Sequence, residues 1–89
     1  MVTREVEIIN KTGLHARPAS EFIQTCSKFK CKITIGRAND EDRYDAKSIM
    51  NILLLGLCHG ERAVLTAEGE DEEEAITTLV NLFNSGFGE

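Results

Sequence analysis

Gly13-Leu14-His15-Ala16-Arg17-Pro18-Ala19 sets a histidine where a loop turns into a helix, with an arginine two residues on and a proline just inside the helix start. Imidazole is a nucleophile near neutral pH and also a good leaving group. A helix N-terminus presents unpaired backbone N–H groups and about half a positive charge, which favours phosphate. Arginine adds a planar fork matched to phosphate oxygens. On one short segment these features suit a histidine that takes up a phosphoryl group and gives it away again. The blander alternatives are a solvated or capping histidine and an Arg17 held in a surface ion pair with Glu21, one turn on.

The remaining reactive side chains carry less. Ser48 stands directly before an apolar stretch, where a helix N-cap already explains it. A phosphate there is electrostatically tolerated, so a modification site is the second reading. Cys58 and His59 are adjacent and cannot supply a closed metal site, so His59 reads as a solvated loop residue and no metal is expected. Cys26 and Cys31 fall on apolar faces and read as packing. The acidic run from Glu68 to Glu74 reads as a solvated turn and helix start, without the ligand spacing of a calcium loop.

The elements that must position His15 follow from periodicity. Val2 to Ile9 reads as a first strand with Val6 and Ile8 on one face, and Asn10 to Leu14 as a loop. From Ala16 to about Phe29, Ala19, Phe22, Ile23, Cys26 and Phe29 recur at helical steps. Pro18 is tolerated because first-turn N–H groups have no intrahelical partner. Cys31, Ile33 and Ile35 alternate with Lys30, Lys32 and Thr34 as a half-buried strand. Gly36 to Asp40 reads as a hairpin connection and Arg43 to Asp45 as a short return strand.

Ser48 to about Leu55 is a short helix, apolar nearly all round. Gly56 and Gly60 break the chain before a strand carrying Ala63, Leu65 and Ala67. Asp71 with Glu74 resembles a capping box opening a third helix, whose buried face is Ala75, Ile76, Leu79, Val80, Leu82 and Phe83. The order β-α-β-β-α-β-α predicts an α+β fold with helices on one face of a mainly antiparallel sheet.

Composition narrows the class. A chain of 89 residues is expected to be one domain, spanning 1–89, with a modest core and chemistry near its surface. A net charge of −5 argues against nucleic acid. No apolar run is long enough to span a membrane, and Met1-Val2-Thr3-Arg4-Glu5 lacks a secretory signal's apolar stretch. Three cysteines without zinc-like spacing fit reduced thiols in the cytoplasm.

Three segments in order, Gly13 to Ala19, Lys47-Ser48-Ile49-Met50 and Glu68-Gly69-Glu70-Asp71-Glu72, carry a resemblance covering nearly the whole chain. The sequence resembles the HPr family, the histidine phosphocarriers of the bacterial phosphoenolpyruvate-dependent phosphotransferase system. The resemblance implies an open-faced β-sandwich, a four-stranded antiparallel sheet with three helices on one face. It implies phosphorylation of His15 on Nδ1 by enzyme I and transfer to the IIA component of a sugar permease. Arg17 would steady the phosphate, the amides of Ala16 and its neighbours would complete a cradle, and Pro18 would fix the helix entry. Partners would dock on Ser20, Gln24 and Ser27 of the first helix and Ile49, Met50 and Leu53 of the second.

The resemblance also implies regulation at Ser48 by an ATP-dependent serine kinase/phosphorylase, although Asn51 stands where the family usually has glycine. It implies a monomeric carrier consumed and regenerated stoichiometrically, with no cofactor and no enzymatic turnover of its own. Two alternatives stay open. One is a nitrogen-branch carrier serving a regulatory IIA protein, which the ending Leu82-Phe83-Asn84-Ser85-Gly86-Phe87 resembles. The other is an HPr-like allosteric interaction module working through Ser48 or the apolar patch.

Overall fold

The computed structural model describes residues 1–89. Its elements are β1 (Val2–Glu7), α1 (Ala16–Ser27), β2 (Lys32–Arg37), β3 (Tyr44–Asp45), α2 (Ile49–Leu55), β4 (Arg62–Glu68) and α3 (Glu72–Asn84). A single 3-10 turn, Gly86–Gly88, follows α3. The strands form one sheet in the order β1-β4-β2-β3, and every neighbouring pair is antiparallel. This is the expected open-faced α+β sandwich. No helix is long and apolar enough to cross a membrane.

Alternation decides which face of the sheet is covered. Ala63, Leu65 and Ala67 of β4 are buried, while Val64 and Thr66 between them are only half-buried. Ile33 and Ile35 pair with Ala67 and Leu65 and share the covered face. Against it α1 buries Pro18, Ala19, Phe22 and Cys26, and α3 buries Ala75, Ile76, Leu79 and Phe83. Phe22 and Phe83 meet edge to face at 5.5 Å, and Phe83 and Phe87 at 5.0 Å. Each such pair adds about 1 kcal/mol to the area it buries. Cys26 and Cys31 are buried as packing residues; burial pushes the Cys26 thiol up to about 12 and the Cys31 thiol up to about 11.

Several boundaries differ from the sequence reading. Helix α1 stops at Ser27, short of Phe29, and β2 begins at Lys32. The amides of Lys30 and Cys31, which the alternation places in the strand, instead donate to the Asp71 carboxylate at 2.8 and 2.9 Å. This also overturns the capping box. Asp71 sits at the N-cap of α3 but makes no side-chain cap bond, and Glu72 Oε1 accepts from Gly69 N at 3.0 Å instead. The acidic run is therefore not wholly solvated: Asp71 and Glu72 are half-buried and pin a turn, while Glu68, Glu70, Glu73 and Glu74 stay exposed. Strand β3 is only two residues long, without Arg43.

Candidate functional site

The site is built by the loop that joins β1 to α1. Asn10 is buried and donates through Nδ2 to Gly13 O at 2.8 Å, while Gly13 N returns to Asn10 O at 3.2 Å, closing a tight turn. Gly13 has φ +70, and a Cβ there would lie 2.6 Å from Leu57 O and 3.3 Å from His15 Cδ2. No other residue fits that position without moving the backbone. Leu14 is fully buried, and its N–H donates to Leu57 O at 2.8 Å. His15 is thus carried between an anchored leucine and a helix.

His15 is the N-cap of α1, extended at φ −128, ψ 167, and its side chain makes no cap bond. The imidazole is half-buried and engages no other group of the chain. Ala16 follows in the left-handed region at φ 47, a conformation that costs a non-glycine residue about 1–3 kcal/mol. Its amide and that of Arg17 reach no acceptor in the chain, and Pro18 has no N–H to offer. Two amides and an uncommitted imidazole therefore share one helix entry.

Arg17 is about half exposed, and its guanidinium is already engaged. It pairs with Glu21, donates to Phe87 O at 2.9 Å and lies 3.7 Å from Glu89 Oε2. The Glu21 pairing was legible as a helical i,i+4 contact. The tail was not. Glu89 also accepts from Thr12 Oγ1 at 2.8 Å, and this bond to the site loop holds its carboxyl below the usual range. Thr12 and Glu89 lie 77 residues apart, so no local pattern joins them.

Ser48 caps α2, its Oγ accepting from Asn51 N at 3.3 Å. Beside it Lys47 Nζ donates to Phe29 O at 2.6 Å and ties this loop to the end of α1. Gly56 ends α2 in the left-handed region at φ 58. Helix α2 buries Ile52 and Leu55 and leaves Ile49, Met50, Leu53 and Leu54 exposed. Leu54, at 78% the most exposed of these, was not singled out by the sequence. Ser20, Gln24 and Ser27 are exposed along α1, which packs beside α2, so the two groups border one surface. Cys58 and His59 are both exposed.

Known proteins are similar to this chain in sequence and in fold. A family model described as the PTS HPr component phosphorylation site matches residues 2–85. The chain is 43% identical to phosphocarrier protein HPr of Pseudomonas aeruginosa over 89 residues, covering all of this chain and 98% of that protein. Among solved structures, HPr-C-His from Thermoanaerobacter tengcongensis is 53% identical, with a TM-score of 0.94 over all of this chain and 98% of that one. A structure of an HPr dimer from the same organism is 55% identical over 94% of each chain, with a TM-score of 0.77. With matches this long and this close on the same fold, the chain belongs to the HPr family of phosphotransferase-system phosphocarriers.

Proposed function

We propose that the chain accepts a phosphoryl group on His15 Nδ1 from phosphorylated enzyme I and hands it to a IIA component of a sugar permease. The observation that carries this reading is the uncommitted imidazole at a helix entry whose first two amides, those of Ala16 and Arg17, lack acceptors, with the Arg17 side chain two residues on from His15. The Nδ1 lone pair of His15 attacks phosphorus as the bond to the donor nitrogen breaks. Transfer between nitrogens runs through a loose transition state, so positioning and charge neutralisation supply most of the acceleration. The amides of Ala16 and Arg17 meet the phosphoryl oxygens. The guanidinium turns toward them as the dianion competes with Glu21 and Glu89. A half-buried, shallow perch keeps the group transferable.

The 89 residues work as one monomeric unit in the cytoplasm, a stoichiometric carrier without cofactor. Partners approach over Ser20, Gln24 and Ser27 of α1 and Ile49, Met50 and Leu53 of α2. An apolar centre with a polar margin gives the fast, weak association a carrier needs. Ser48 is the regulatory position: a kinase can reach its half-buried hydroxyl at the edge of that surface, and a phosphate there adds charge beside the docking residues.

Incubation with enzyme I and labelled phosphoenolpyruvate tests the reading. The label should be stable in base, lost quickly in acid, and absent from His15→Ala. An acid-stable label, or no adduct on the His15 ring, overturns it. Running the assay with sugar-branch and nitrogen-branch enzyme I in parallel assigns the branch, because only the matched donor charges His15 quickly.

A further inference from the structure

One half-buried ion pair stands away from His15 yet grips the segment beneath it. Arg37, the last residue of β2, donates through Nε to Glu61 Oε1 at 2.8 Å, and its Nη2 donates to Gly56 O at 3.3 Å. Glu61 Oε2 accepts from Cys58 N at 2.7 Å. Gly56 and Cys58 flank Leu57, so the pair holds the backbone on both sides of that residue. The Leu57 carbonyl is the group that accepts Leu14 N and lies against Gly13. Around the clamp the loop is tied to β1, with Gly60 N donating to Ile8 O at 2.8 Å and Ile8 N to Glu61 O at 2.9 Å.

We infer that Arg37 and Glu61 are positioning residues for phosphoryl transfer: by clamping the Gly56–Cys58 backbone they fix the platform on which Gly13 and Leu14 rest, and through them the place of His15. The inference rests on the carrier reading above. Its physical ground is the narrow tolerance of the platform. A Cβ on Gly13 would come within 2.6 Å of Leu57 O, so the loop has no slack there. Leu14 N donates to the same oxygen at 2.8 Å, so displacement of Leu57 shifts the residue that directly precedes His15. Transfer depends steeply on such placement, and about 1 Å of error can cost two orders of magnitude. The bond from Arg37, and then the one from Cys58 N, hold the Glu61 carboxyl below the usual range, so the clamp stays charged at neutral pH. The other arginine–glutamate cluster on the sheet joins Arg62 to Glu5 and Glu7 and touches no part of the platform.

The test compares Arg37→Met and Glu61→Gln with the parent, using Arg62→Ala as the control. Both clamp variants should transfer from enzyme I about tenfold more slowly at saturation. The half-saturating enzyme I concentration should not change, because α1 and α2 keep their docking residues. Native-state exchange of the Leu14 amide should quicken in both, while Arg62→Ala matches the parent in every readout. Should Arg37→Met fail to fold, Glu61→Gln, which keeps the side-chain volume, carries the test. A parent that charges normally beside Glu61→Gln at the same rate and the same Leu14 exchange overturns the clamp. A parent that never charges His15 overturns the carrier reading instead.

Discussion

In the proposed carrier reaction, Arg17 is the residue on which resting and working states compete. Its guanidinium is shared among Glu21, the Phe87 carbonyl and Glu89, two carboxylates and a carbonyl that a phosphoryl dianion must outbid. The two ion pairs lie at or near the surface, where such pairs contribute roughly 0–1 kcal/mol each, and the third contact is a single bond to a carbonyl, so the guanidinium can be released. Arg17→Ala should therefore leave the fold intact and slow charging of His15 by about a hundredfold, the usual cost of removing one charge-stabilising donor. Stopped-flow transfer from enzyme I, with a melting curve alongside, measures both. A rate equal to the parent's would remove Arg17 from the mechanism. Next to it, Ala16 holds a left-handed φ of 47, and that strain persists because buried Leu14 and Pro18 fix the chain on either side.

At the level of elements, short hydrophilic contacts do what long-range packing alone does not. Asp71 accepts from Lys30 N and Cys31 N, joining the start of α3 to the segment before β2. The bond from Lys30 N is the main cause holding the Asp71 carboxyl below its usual range. A carboxylate depressed in the folded state stabilises above its ordinary pKa, near 3.9, and loses that contribution as pH falls through the lower folded value. Asp71→Asn should therefore unfold at a lower denaturant concentration than the parent at pH 7, and the gap should narrow at a pH of about 2.5. A gap independent of pH would mean that the charge of Asp71 does not matter. Ser48 does similar work for α2, where a seven-residue helix depends on its cap and on Ile52 and Leu55 beneath it. Loss of such a cap costs about 1 kcal/mol, so a change at Ser48 alters stability as well as any regulatory role.

Across the whole molecule, the helix entry at His15 and the proposed docking face lie on the same pair of helices while the sheet supports them from behind. Helix α1 carries His15 at its entry and Ser20, Gln24 and Ser27 along its outer side, and α2 adds Met50 and Leu53 next to them. Met50 is 63% exposed and contributes little to the core. Met50→Asp should keep stability within about 0.5 kcal/mol of the parent and weaken binding to enzyme I by about tenfold, read by calorimetry against thermal melting. Undiminished binding would move the interface elsewhere, with exposed Leu54 the first place to look. Element order, the apolar faces of α1 and β4 and the helix entry that places His15, Arg17 and Pro18 were all legible, because each is written within a few residues of itself. The capping box of Asp71 with Glu74 failed because the Asp71 carboxylate turns to the amides of Lys30 and Cys31, far away in sequence, and Glu74 stays exposed. The sequence by itself determined that His15 stands at the entry of α1 with Arg17 and Pro18 just behind it, since a helix entry and its neighbours are local properties of the chain. Only the tertiary structure decided what restrains them. Glu89 meeting Thr12 and Arg17, and Arg37 with Glu61 gripping the backbone around Leu57, join segments far apart in sequence. Such pairings depend on which strand edges and loops the fold brings together, and no periodicity records them.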